Sequence, residues 1–176
     1  MTGLSSPRHV WAYRALFLGL CATVIAYKLL PLNLNDRGLP GPDLLLALTL
    51  AWLLRQPAVV PIGSILIVFL MADFLFQRPP GLWTLLVLIV SESLRQRRLT
   101  MTEFPFLVEW SAFAGAVLAM ILLERIILWV LMVDLPPLGL SLTHGIVTTA
   151  IYPLVVGISK FLFGLRKIGP AEAEVL

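Results

Sequence analysis

Long apolar runs alternate with short polar connectors along most of this chain. A helix needs about 20 apolar residues to cross the roughly 30 Å of hydrocarbon in a bilayer. On this criterion the pattern predicts six membrane segments, at residues 10–32, 43–54, 58–76, 80–94, 104–133 and 138–165. We therefore predict an all-α polytopic membrane protein: one helical domain of about six transmembrane helices over residues 1–168, then a short, disordered cytoplasmic tail at 169–176.

Two of the six segments are short for a full crossing. The twelve residues of segment 43–54 would rise only about 18 Å as a helix, and segment 80–94 is only slightly longer. Such helices are tolerated where neighbours bury their ends or where the bilayer thins, so the lengths favour a compact bundle. A re-entrant hairpin made of the second and third segments is the alternative.

Composition agrees with the pattern. Hydrophobic residues make up 59% of the 176 residues, charged residues 13%, and the mean hydropathy is +0.95. A water-soluble fold could not bury this much apolar surface, and little sequence is left for a soluble catalytic domain. We therefore expect the protein to act within the bilayer, as a multi-pass membrane protein.

The distribution of Lys and Arg predicts the orientation, because short cytoplasmic loops are enriched in these residues. With both termini in the cytoplasm, nine basic residues fall on the inner side and three on the outer side, while Arg125 lies inside the fifth segment. The inner set is Arg8, Arg14, Arg55, Arg95, Arg97, Arg98, Lys160, Arg166 and Lys167, and the outer set is Lys28, Arg37 and Arg78.

The tryptophans support the same layout, because the indole ring favours the membrane–water interface, where its N–H stays near water. Trp11, Trp52 and Trp110 fall at predicted inner ends, and Trp83 and Trp129 near predicted outer ends. All five positions are compatible with six crossings. A re-entrant hairpin would place Trp52 in the middle of the membrane.

Ionisable residues inside membrane segments are costly to bury, so each is a candidate for a functional role. The alternative role is an ion pair at a helix end or a side chain that reaches out to the interface. Only the pair at 124–125 lies deep enough to require a partner on another helix or subunit. The candidates are Asp73 with Arg78, Glu92 with Arg95, and Glu124 with Arg125.

Small residues recur every fourth position in the last two segments, a spacing that lets helix backbones approach closely. We predict that these stripes are packing surfaces, either inside the bundle or toward a partner helix. They consist of Ser111, Gly115 and Ala119 in the fifth segment, and of Ser141, Gly145, Thr149, Pro153 and Gly157 in the sixth.

Patterns typical of catalysis or metal binding are missing from the sequence. His9, His144 and Cys21 are the only histidines and cysteine, too few for a His/Cys metal site. Asp73 follows Ala72 and not the glycine of an intramembrane aspartyl protease motif, and the sequence contains neither a phosphate loop nor a nucleophile elbow. We expect no enzymatic activity, no cofactor, no metal and no nucleic-acid binding, with the basic inner face meeting anionic lipid.

Four short motifs, taken in order, resemble the MreD family of bacterial rod shape-determining proteins. The motifs are PDLLL at 42–46 followed by Trp52, ADFL at 72–75, PGLW at 80–83 and TTAIYPL at 148–154. Their order, the chain length and the six-segment layout all fit that family. One departure is Leu70, where family members often carry a glycine shortly before the aspartate of the third span.

The resemblance implies a non-enzymatic inner-membrane subunit of the cell-elongation complex. Such a subunit would bind MreC, which links it to RodA and a class B penicillin-binding transpeptidase, with MreB filaments engaged indirectly. The alternative is the substrate-binding membrane subunit of a vitamin-type transporter, which should present an enclosed outer pocket lined by polar side chains. Its outer candidates, Asp43, Asp73, Arg78, Trp83 and His144, look few and scattered in the sequence.

Overall fold

The structure, a computed structural model, describes residues 7–30, 41–97 and 105–163. Within these ranges it is an all-helical bundle of six helices, as predicted. The predicted tail at 169–176 lies outside the described residues. The helices are α1 (Pro7–Leu29), α2 (Leu44–Arg55), α3 (Ile62–Leu75), α4 (Leu82–Gln96), α5 (Phe106–Val130) and α6 (Leu138–Phe163).

The short helix α2 is the centre of the bundle. Every residue from Leu45 to Arg55 is buried, and α2 packs against α1, α4 and α6. Asp43 caps its N-terminus by accepting a 3.2 Å hydrogen bond from the amide of Leu46, which satisfies a donor that the helix leaves open. Because α2 has no lipid-facing side, its length does not have to match the thickness of the hydrocarbon.

The turn between α2 and α3 lies at the same end of the bundle as the last turn of α4. Arg14 of α1 donates a 2.9 Å hydrogen bond to the carbonyl of Ala58, and Arg95 of α4 donates a 2.8 Å bond to the carbonyl of Val60. We name this the inner end, after the predicted orientation, and the opposite one the outer end. The contacts favour helices that alternate between two ends over a hairpin that stops halfway.

In the part of the chain that the structure describes, three helices are long and apolar enough to cross a membrane, namely α1 from His9, α5 and α6. The shorter α3 and α4 rise only about 21 and 22 Å. α3 nevertheless carries an exposed apolar row that includes Ile67, Met71 and Phe74. We interpret this row as lipid-facing, because such a surface on a membrane bundle is covered by acyl chains.

The tryptophans lie near the predicted helix ends, but two of them do not face an interface. Trp52 is fully buried between the rings of Phe17 and Phe163, each 5.7 Å away, and its indole N–H donates to Ser159 Oγ at 3.2 Å. Trp83 is buried as well. The expectation that the Trp52 N–H stays near water is therefore wrong, because α2 is central and a serine on α6 takes the place of water.

Candidate functional site

A charged cluster is buried near the inner end, where α2, α5 and α6 meet. Arg55 Nη2 lies 3.2 Å from Glu109 Oε1, and Tyr152 donates its hydroxyl to the same oxygen at 2.9 Å. The three residues are 6%, 1% and 0% exposed, respectively. We call Arg55, Glu109 and Tyr152 the inner cluster. It ties three helices together through one carboxylate.

Aromatic packing holds the inner cluster in place. The ring of Phe113 stacks on that of Tyr152 with centroids 4.0 Å apart, and Phe106 stacks on the same ring at 6.4 Å. Nearby, the indole of Trp110 donates to the carbonyl of Thr149 at 2.9 Å. Because apolar rings enclose the ion pair, water can screen it only weakly, and its geometry should matter for stability.

The inner cluster is only partly predictable from the sequence. Arg55 is one of the basic residues that predict the orientation, and Glu109 lies in the fifth apolar segment close to its predicted inner end. Opposite charges at the same predicted depth on two apolar segments would have indicated the pair. Nothing in the local pattern indicated Tyr152 as its third member.

A second polar group lies at the outer end, and we call Lys28, Asp43, Arg78, Trp83 and His144 the outer cluster. Asp43 Oδ2 lies 3.9 Å from Arg78 Nη1. His144 Nδ1 lies 2.8 Å from the carbonyl of Gly41, just before α2. Four of the five residues expected for a transport subunit are therefore gathered here, although they look scattered in the sequence.

The cations of the outer cluster lie over aromatic rings. The Arg78 guanidinium carbon lies 5.2 Å from the centroid of Trp83 and 5.7 Å from that of Phe76, and Lys28 Nζ lies 5.1 Å from the Phe76 centroid. These are cation–π distances. The Arg78 side chain is still 29% exposed, so this cluster is more open than the inner one.

Asp73 caps α4 and does not pair with Arg78. Its Oδ2 accepts hydrogen bonds from the amide of Gly81 at 3.1 Å, the amide of Thr84 at 3.1 Å and the hydroxyl of Thr84 at 2.7 Å. Gly81 has φ +86°, a left-handed conformation that suits glycine. The interpretation of Asp73 and Arg78 as an ion pair is therefore wrong. The buried carboxylate of Asp73 accepts hydrogen bonds from the amides at the start of α4, and Arg78 pairs with Asp43 instead.

The other two candidate pairs differ in depth. Arg95 Nε lies 3.6 Å from Glu92 Oε2 on the surface of α4. Arg125 donates from Nη1 to the carbonyl of Pro136, in the connection before α6, at 2.8 Å and to Ser141 Oγ on α6 at 3.4 Å. Glu124 is half-buried and forms no ion pair within 4.0 Å among the described residues. Arg125 thus finds two hydrogen-bond partners within this chain, both through Nη1.

The two small-residue stripes have different surroundings. In α6, Gly145 is buried, and a Cβ placed there would come within 2.6 Å of Ile121 Cδ1. Ser141, Thr149 and Pro153 are half-buried, whereas Gly157 is exposed. The α6 stripe therefore begins against α5 and ends on the outside of the bundle.

The stripe on α5 faces away from the bundle along its whole length. Ser111, Gly115 and Ala119 are exposed, while Phe113 and Met120 on the opposite side of the helix are buried. A Cβ on Gly115 would meet no other atom within 4 Å in the part of the chain that the structure describes. Small side chains here leave the α5 backbone open to a neighbour in the membrane.

Between α5 and α6 runs an open apolar groove of about 340 Å³. It is distinct from the α5 stripe, since its walls come from the sides of the two helices that face each other. The lining residues of α5 are Trp110, Ala114, Val117, Leu118 and Ile121, and those of α6 are Leu142, Gly145, Ile146, Thr149 and Ala150.

These features define a helical integral-membrane protein with two internal polar clusters and an outward stripe of small residues. Among the described residues, no group of three or more His, Cys, Asp or Glu is placed to hold a metal ion. Comparison of the chain with models of protein families, with curated proteins and with solved structures gives no match.

Proposed function

We propose that this protein is a non-enzymatic membrane scaffold of the MreD type, which binds the membrane-spanning helix of MreC in the bacterial inner membrane. The observation that carries the proposal is the exposed stripe of Ser111, Gly115 and Ala119 on α5. Lipid tails are as apolar as helix surfaces, so helices associate in membranes where small residues permit close packing. A stripe that its own bundle leaves open is a suitable surface for a partner helix.

The polar residues are compatible with a scaffold. Arg55, Glu109 and Tyr152 bind one another, and Asp73 binds the start of α4. Side chains engaged in this way stabilise the bundle, which would hold the α5 surface in a fixed shape. Through MreC, the protein would contribute to the assembly that contains RodA and a class B penicillin-binding transpeptidase, and indirectly MreB. Cell shape would depend on it for that reason.

Leucine substitutions on the stripe test this proposal. In Gly115→Leu and Ala119→Leu, bulkier side chains would separate the α5 backbone from the partner helix. We expect recovery of MreC in mild detergent to fall about tenfold, which corresponds to a loss of about 1.4 kcal/mol. The amount of inserted bundle should stay unchanged, because both positions are exposed.

The matched control is Gly63→Leu, another exposed helical glycine with no atom within 4 Å of its Cβ position among the described residues. It lies on α3, so MreC recovery should be normal. Gly145 is unsuitable for this test, because a leucine there would collide with Ile121 inside the bundle. Undiminished MreC recovery with both α5 variants would rule out this surface.

A substrate-binding transporter subunit is the second candidate, and the gathered outer cluster is the observation that favours it. Asp43, Arg78, Trp83 and His144 meet near the outer end, where such a subunit would present its ligand site. Their contacts are largely with one another, which favours a structural role. A small molecule that copurifies stoichiometrically and is lost in Arg78→Ala would support transport, as would copurification of an ATPase module.

A further inference from the structure

We propose that the groove between α5 and α6 binds one anionic glycerophospholipid, with an acyl chain in the groove and the phosphate at Arg125. The site is separate from the α5 stripe and does not depend on the proposed function. Two independent observations support it: the dimensions of the groove and an incompletely satisfied cation at its outer mouth.

The groove has the dimensions of a single acyl chain. Along α5 it extends from Trp110 to Ile121, a rise of about 16 Å at 1.5 Å per residue. It holds about 340 Å³ over that length, which makes it narrow beside a helix about 10 Å across. The walls are almost entirely apolar, so a continuous hydrocarbon chain suits the groove better than a partner helix.

Arg125 stands at the outer mouth of the groove. It lies one helical turn beyond Ile121, the last lining residue of α5, and it contacts Ser141, which directly precedes the lining residue Leu142. Arg125 is five residues from the end of α5, about 8 Å along the helix. This depth suits the phosphate of a lipid whose chain runs down the groove.

The guanidinium of Arg125 has N–H groups that are not used in hydrogen bonds to the described residues. Nη1 contacts Pro136 and Ser141, whereas Nε and Nη2 have no hydrogen-bond partner among the described residues. An arginine has five N–H donors in a planar fork that matches a phosphate. Glu124 precedes Arg125 in the chain, but no ion pair within 4.0 Å joins their side chains among the described residues. A cation at this depth gains most from a ligand with net negative charge.

Lipid retention tests the proposal. The purified protein is reconstituted in bilayers of equimolar phosphatidylglycerol and phosphatidylethanolamine with identical acyl chains, released into mild detergent and examined by native mass spectrometry. We expect one retained lipid per chain, enriched about fivefold in phosphatidylglycerol, the preference expected of one arginine near the membrane surface. Equal retention of the two lipids would overturn the proposal and indicate ordinary surrounding lipid only.

Variants separate the headgroup contact from the chain contact. Arg125→Gln should abolish the phosphatidylglycerol preference, and Arg125→Lys should retain part of it. Ala150→Phe fills the groove and should abolish retention of either lipid. Ala119→Phe, on the exposed α5 stripe outside the groove, is the matched control and should retain the lipid. If Arg125→Gln and Ala150→Phe both retain lipid as the unmodified protein does, the groove is not the site.

Discussion

The inner and outer clusters both join helices through charged residues, but their surroundings differ. Glu109 and Arg55 are 1% and 6% exposed and lie 3.2 Å apart beneath stacked aromatic rings. Asp43 and Arg78 lie 3.9 Å apart, and the Arg78 side chain is 29% exposed. Both members of the inner pair are thus enclosed, whereas in the outer pair Asp43 is 3% exposed and only Arg78 is partly open.

This difference determines how much stability the bundle should lose when each pair is disrupted. Removing one partner of a buried ion pair leaves a charge in a medium that solvates it poorly, whereas a partly exposed charge can turn to water or to headgroups. Disruption of the inner cluster should therefore weaken the contact of α2 with α5 and α6. Disruption of the outer pair should have a much smaller effect.

The largest expected effect is that of Arg55→Met. It removes the cation at 3.2 Å from a fully enclosed carboxylate, so the free energy of unfolding should fall by about 3–5 kcal/mol. Reversible unfolding of the bundle in mixed micelles of mild and denaturing detergent would measure the change.

The control for Arg55→Met is the double variant with Glu109→Leu, in which no charge remains at the pair. It should recover much of the lost stability, because an apolar replacement of a whole buried pair is often neutral. If Arg55→Met alone costs less than about 1 kcal/mol, the value typical of exposed pairs, the inner cluster is solvated and the contrast between the two ends disappears.

Asp73→Ala is expected to have the next largest effect. It removes the oxygen that accepts three hydrogen bonds from Gly81 and Thr84, and the loss of an N-cap costs about 1–2 kcal/mol. Amide hydrogen exchange at Thr84 should accelerate along with the loss of stability. Asp73→Asn keeps an acceptor and should cost less, and equal losses in the two variants would contradict the capping role.

Arg78→Ala should cost about 1 kcal/mol or less, because Arg78 itself is partly exposed. Asp43, which is only 3% exposed, keeps the hydrogen bond from the Leu46 amide and has Lys28 and His144 nearby. The same unfolding assay, repeated at high salt, would show a smaller difference from the unmodified protein, since salt screens exposed charges. A loss as large as that of Arg55→Met would contradict the proposed difference between the two ends.

Glu92→Gln should have the smallest effect. Glu92 is 44% exposed and three residues from Arg95 on α4, and surface pairs at this spacing contribute about 0.2–0.5 kcal/mol. Arg95 also binds the carbonyl of Val60, so Arg95→Ala should cost more than Glu92→Gln. The reverse order would show that the ion pair outweighs the link to the α2–α3 turn.

The sequence predicted the helices well, because spans of apolar residues between polar connectors are a strong signal in a membrane protein. All six helices lie where the pattern predicts them, and α2 (Leu44–Arg55) is as short as expected. Apart from Thr49 and its last residue, Arg55, the α2 sequence is apolar on every side. A helix that is apolar all round is typically buried, which agrees with its central position. The orientation relative to the cytoplasm stays a prediction from the charges.

The contacts between helices were less predictable, because they depend on how each helix is rotated about its axis. Two stripes with the same spacing differ for this reason: Gly145 contacts Ile121, whereas Gly115 faces outward. Asp73 and Arg78 are close in sequence, yet the end of α3 and the start of α4 turn the carboxylate toward Thr84. A contact between residues more than 40 positions apart, such as Arg55 and Glu109, produces no pattern in the local sequence from which it could be predicted.

The most direct test of the scaffold proposal is affinity purification of the full chain in mild detergent, with identification of the proteins recovered. We expect MreC in near-stoichiometric amounts, with RodA and a class B penicillin-binding transpeptidase at lower levels. Recovery of an ATPase module without MreC would contradict the proposal and favour transport.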